Sequence, residues 1–182
     1  VADAVKALRC GVAGPIVFNI QGGSYAGPFK FGELSGASAT NTVTFRSPSV
    51  DSVTLYHNAT STADQNTIYL AGCDYVAFEN MKIESRGSYG FAVHISNDAD
   101  YNRFEGCVIS CNTGVTSTYS NPIVFSSSES SYSTGGRNGS YNKFIDNHVI
   151  GGYFSICMYG SSGGNAPKGN EFHGNKTERS YY

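Results

Sequence analysis

Four nine-residue segments of this chain line up with one another: Tyr75–Ile83, Tyr101–Ile109, Tyr141–Val149 and Gly169–Thr177. Each carries Phe in its fourth position, at 78, 104, 144 and 172, and three carry an aliphatic residue five places later. The phenylalanines lie about 26, 40 and 28 residues apart, the range of solenoid repeats. A second motif precedes each segment: Ile68-Tyr-Leu70, Val93-His-Ile95, Ile123-Val-Phe125 and Ile156-Cys-Met158. Its outer positions are apolar and its middle one varies. In a strand, that period of two turns the outer pair inward and turns Tyr69, His94, Val124 and Cys157 outward. Each repeat therefore supplies at least two short strands. Turn residues such as Gly72, Asn97-Asp98 and the Gly160–Gly164 run join them.

Two architectures use such a unit. A leucine-rich repeat is dense in Leu and carries a helix or tight turn on its convex side. Here leucine is scarce and no helical stripe recurs, so a right-handed parallel β-helix fits better. Its coils stack about 4.8 Å apart, which puts the four phenylalanines in one ladder inside the core. Pro15–Ile20 and Thr42–Arg46 read as strands of earlier coils, giving about six coils in a single domain over residues 1–182. Ala4, Val5 and Leu8 make a short amphipathic helix that ends near Gly11, and residues 1–11 are expected to cap the first coil. The polar run 126–140 reads as a loop inserted on one side of the solenoid. No comparable cap follows the fourth segment. Another element covers that end, or the chain is a piece of a longer one, or coils dock head-to-tail into a filament.

Composition agrees. Glycine (22), tyrosine (13) and phenylalanine (11) are abundant and charged residues make up only 14%, as in a turn-rich β protein. A net charge of −2 gives no reason to expect nucleic acid as a partner. No apolar run reaches the roughly 20 residues of a membrane span. The five cysteines are an odd number, and most read as small buried hydrophobes on strands, with one disulfide as the alternative.

Several stretches together resemble a known group. They are Ala4-Val-Lys-Ala-Leu8, Gly14–Ile20, Gly23-Ser-Tyr25, Ser35–Phe45 and Leu70–Ile83. They are similar to secreted right-handed β-helix proteins of the pectin-lyase-like superfamily, and in particular to large surface proteins of Bacteroidetes-type bacteria. The resemblance implies secretion or attachment to a bacterial cell surface, and a polysaccharide or surface glycan as partner. It does not choose an activity, because that superfamily holds lyases, hydrolases, esterases, epimerases, adhesins and tailspikes.

Candidate chemistry is sparse. Asn97, Asp98 and Asp100 put three oxygen-bearing side chains into four residues, a composition that suits calcium and equally suits a tight turn. No other cofactor is expected. The similarity to lyases implies a basic residue that removes a proton beside a carboxylate, for which His94 and Arg103 are the candidates. Arg103 is also placed to pair with Glu79 or Glu105 on a neighbouring coil. Exposed aromatic rings stack on sugars, which makes Tyr69, Tyr153 and Tyr159 candidate ligand-binding residues. Two readings follow. One is a non-catalytic surface module for structure, adhesion or glycan binding. The other is a calcium-dependent polysaccharide lyase or hydrolase with its groove around His94, Asp98, Arg103 and the 126–140 loop.

Overall fold

A computed structural model describes residues 1–161 and 166–182 of the chain. Its strands form three parallel sheets that wind as a β-helix of six coils. The first sheet holds Ile16–Asn19, Val43–Arg46, Val76–Glu79, Arg103–Glu105, Lys143–Ile145 and Glu171–His173. The second holds Gly23–Ala26, Val53–His57, Lys82–Ser85, Val108–Cys111, His148–Ile150 and Lys176–Glu178. The third holds Phe29–Phe31, Asn66–Ala71, Gly90–Ser96, Ser120–Phe125 and Ile156–Met158. Each full coil thus has three strands. The recurring nine-residue segment splits in its middle, where Asn80, Gly106, Asp146 and Gly174 adopt positive φ and turn the chain from the first sheet to the second. The Gly160–Gly164 turn lies partly outside the described residues.

Parallel register places like residues at like heights, for example Phe45 opposite Phe78, Phe78 opposite Phe104, and Phe104 opposite Phe144. The ladder is longer than four. Phe18, Phe45, Phe78, Phe104, Phe144 and Phe172 stack in sequence with centroids 4.9–5.3 Å apart. Phe45 to Phe144 are fully buried, whereas Phe172, in the last coil, is 38% exposed.

Two asparagine ladders hold the turns. Val76, Asn102 and Asn142 each donate their backbone N–H to the amide oxygen of the residue one coil on, Asn102, Asn142 and Asn170, at 2.8–2.9 Å. Cys107 and Asn147 do the same to Asn147 and Asn175 at 2.9 Å. The amide nitrogens of these asparagines donate back to carbonyls of the preceding coil, such as Asn102 to Cys73 O at 2.8 Å and Asn147 to Phe104 O at 2.9 Å. Buried backbone groups that no strand can reach are satisfied in this way.

The expected N-terminal cap is present. A helix over Ala2–Ala7 continues as a 3₁₀ turn over Leu8–Cys10, and Gly11 follows at φ 95°. Leu8 is buried, and Val1, Ala4 and Val5 pack against the end of the core. All five cysteines are free, and the four other than Cys10 are buried and serve as small apolar side chains. Burial pushes the Cys107 and Cys111 thiols up to about 12.

Replacing Phe104 with Ala should lower the unfolding free energy by about 3–5 kcal/mol, because the rings above and below hold the cavity open. Phe172→Ala, at the exposed end of the same ladder, should cost less than half as much. Chemical denaturation of both variants measures the difference; equal losses would contradict a continuous ladder.

Candidate functional site

The third sheet carries two of the candidate residues, Tyr69 and His94, on its outer face. Asn66–Ala71, Gly90–Ser96, Ser120–Phe125 and Ile156–Met158 align so that Tyr69, His94, Val124 and Cys157 form one column. All four point away from the coil interior, as the alternation requires. None is solvent-exposed, however: His94 and Val124 are fully buried and Tyr69 and Cys157 nearly so. The reason is the insertion at 126–140, which folds back over this face. Tyr132 of the insertion packs with Phe154 against Phe91, Val124 and Cys157, forming a second small core outside the first.

The insertion is pinned to the sheet by polar contacts. Gln65 and Asn66 donate their side-chain amides to Glu129 O at 3.1 and 3.2 Å. Lys30 forms an ion pair with the Glu129 carboxylate. His94 Nε2 lies 2.9 Å from Ser126 O, and its Nδ1 lies 2.9 Å from Asn66 Oδ1. A neutral imidazole has one N–H and donates to one of these two oxygens. Burial disfavours the charged ring and pushes the His94 pKa down to about 4, with the bond to Ser126 opposing. Burial likewise raises the Tyr69 hydroxyl, whose ring packs 4.8 Å from that of His94. Two buried oxygens on this face, Gln65 Oε1 and Ser96 Oγ, have no hydrogen-bond partner.

His94 is therefore a neutral, sealed side chain rather than an accessible base. Arg103 is not beside it. Arg103 stands on the outer face of the first sheet and pairs with Glu105, two residues along its own strand and not on a neighbouring coil. The two candidates for proton transfer are on different sheets.

Asn97, Asp98 and Asp100 occupy the turn that leaves the third sheet. Asn97 and Asp98 both have positive φ, 54° and 55°, a conformation that Asn and Asp tolerate better than most residues. Asp98 pairs with Arg137 of the insertion at 2.7 Å, and its N–H donates to Arg137 O at 2.8 Å. Asp100 Oδ1 accepts the Ser140 N–H at 2.6 Å, and Asp74 Oδ1 accepts the Asp100 N–H at 2.7 Å. These carboxylates fasten successive coils to one another. Burial, with the negative charges around them, holds Asp74 and Asp100 above the usual carboxylate range. No group of three or more His, Cys, Asp or Glu side chains comes together among the described residues.

Tyr153, which is half-buried, and Tyr159 flank Ile156–Met158 at the rim of the third sheet. Tyr159 is 41% exposed and meets Tyr132 edge-on at 6.1 Å. Tyr153 packs edge-on to Phe154 at 4.7 Å and parallel to Tyr182 at 6.0 Å. Tyr132 and Phe154 were not among the residues singled out from the sequence. A signal was there: Val124 and Cys157 in an outward column are apolar residues that need a cover.

A protein-family model described as a right handed beta helix region matches residues 35–180. No curated protein matches the chain, and no solved structure does.

Because His94 binds its proton less readily folded than unfolded, unfolded chains take up more protons as pH falls from the ordinary value of 6.5 to about 4. Stability should fall over that window by up to about 3 kcal/mol and level off below it. The raised Asp74 and Asp100 act in the opposite sense and reduce the slope. Urea denaturation across this range checks it, and His94→Gln should flatten the dependence.

Proposed function

The chain belongs to the right-handed β-helix family, and from that premise we propose that it is a non-catalytic extracellular module that binds glycans along the aromatic rim of its third sheet. The observation that carries this reading is the cluster of Tyr132, Tyr153, Phe154 and Tyr159, with Tyr159 well exposed. Rings of this kind present apolar faces and polar tips, which suits the C–H faces and hydroxyls of sugars. A sealed His94 and an Arg103 on another sheet support this reading over a lyase centred on those two residues. A location outside the cell or on its surface rests on the resemblance to secreted β-helix proteins. Buried thiols of raised pKa suit such a setting because they react slowly with oxidants.

A glycan array should return at least one ligand. Tyr159→Ala and Tyr153→Ala should each weaken its binding about tenfold with the fold intact. Pectate, alginate and chondroitin incubated with the protein, with and without calcium, should give no ultraviolet absorbance from unsaturated uronides. A rise in that absorbance would replace this reading with the lyase.

A further inference from the structure

A second aromatic feature runs beside the first sheet, away from the rim just described. Tyr75, Tyr101 and Tyr141 stand just before successive strands of that sheet and stack nearly parallel. Their centroids are 4.9 Å apart at both steps, with interplanar angles of 2° and 8°. All three have φ of 58°, the left-handed region that a bulky aromatic rarely adopts. Such a conformation persists where the surroundings fix it, and here hydrogen bonds between coils do so. Tyr75, Tyr101 and Tyr141 donate their N–H groups to Asp100 O, Ser140 O and Lys168 O at 3.2, 3.0 and 2.9 Å. The side chains of the residues before them, Asp74, Asp100 and Ser140, accept the N–H of Asp100, Ser140 and Lys168 at 2.7, 2.6 and 3.2 Å.

The ring spacing matches the spacing of the coils. Neighbouring rings therefore differ by little more than that translation, and like carbons face like carbons. The carbons beside the hydroxyl of Tyr101 stand about 4.9 Å from their counterparts in Tyr141. Both rings are open to solvent, Tyr101 at 45% exposure and Tyr141 at 37%, whereas Tyr75 is half-buried. On its far side Tyr141 is backed by Gly169, so close that a Cβ there would strike the ring. Competing oxidisable groups are few. The chain has no tryptophan, Met81 is fully buried, and four of the five cysteines are buried.

We infer that the tyrosine ladder is a site of oxidative coupling, in which a carbon–carbon bond joins Tyr101 to Tyr141 and staples the coils on either side of the 126–140 insertion. The co-reactant is a peroxide, acting through a haem peroxidase that removes single electrons. Each phenol gives up one electron and its hydroxyl proton. The two phenoxyl radicals join at the carbons beside their oxygens, and the hydrogen on each joined carbon moves to the oxygen of its own ring. One peroxide is reduced to two waters for each bond formed. Rings already held face to face couple ahead of rings that must first collide. The bond spans the longest interval between repeats, 40 residues, and a link over a long loop constrains the unfolded chain most. Tyr153 also has tyrosine neighbours, Tyr181 at 5.3 Å and Tyr182 at 6.0 Å, and these looser pairs serve as an internal comparison.

Treatment of the dilute protein with a haem peroxidase and hydrogen peroxide tests this. Dityrosine fluorescence should rise in the monomer. After trypsin, mass spectrometry should find the peptide ending at Arg103 bonded through Tyr101 to the peptide ending at Lys143. Tyr101→Phe keeps the ring, removes the phenol, and should lower the yield in the monomer about tenfold. Cys10→Ser, which removes the exposed thiol, should leave the yield unchanged. In concentrated urea the preference for this pair should disappear. The coupled monomer should unfold at a higher urea concentration than the untreated chain. Circular dichroism establishes that each variant is folded. Coupling found only at Tyr153, only between molecules, equally in urea, or undiminished by Tyr101→Phe would overturn the assignment.

Discussion

Successive coils of this protein hydrogen-bond to one another along parallel sheets, and that single constraint fixes the height of each residue. Parallel strands sit about 4.8 Å apart, so a residue type repeated once per coil becomes a stack. Six phenylalanines follow the spacing inside the core. Asparagines follow it at the turns, and tyrosines follow it on the surface. Asp74, Asp100 and Ser140 follow it beside the tyrosines, each accepting the N–H of the next coil. No coil could bury its phenylalanine or satisfy its turn alone, which is why the stability of the fold lies in the repetition.

The same constraint decides what the outer faces can do. A regular face of a β-helix repeats one column of side chains and has little relief. Function needs something that breaks the regularity, and here two features do so. The 126–140 insertion covers the third sheet, converts its outer column into a second small core, and leaves aromatic rings at the margin. Beside the first sheet, the left-handed backbone at Tyr75, Tyr101 and Tyr141 sets a row of stacked rings at the surface. The price of the cover is a set of buried polar groups, some without partners, of which His94 is the most constrained.

Much of this was legible in the chain. The recurring phenylalanine gave the ladder, the insertion stood out by its polarity, and the alternation in Val93-His-Ile95 and its equivalents set which side chains leave the core. Phe18 and Phe45 escaped the alignment because they follow Ile-Val and Val-Thr without the positive-φ residue and Asn that mark the later coils. The second sheet was hidden because the turn before it is very short, so Tyr75–Ile83 reads as one run. Period-two alternation also says only which side of a sheet a residue takes. It does not say what covers that side, so Tyr69 and His94 were placed outward correctly and expected at the surface wrongly. Whether Asp98 serves a metal or a turn depends on Arg137, about forty residues away in sequence, which no local pattern contains.

The outer column of the third sheet is sealed, and only its rim is left to act as a surface. Titration of the His94 ring by NMR, with His94 assigned by its absence in His94→Gln, tests this most directly. A ring that stays neutral down to about pH 4 and exchanges its N–H slowly fits the sealed face. A ring that titrates near its ordinary value of 6.5 and exchanges freely with water would contradict it and reopen the question of catalysis.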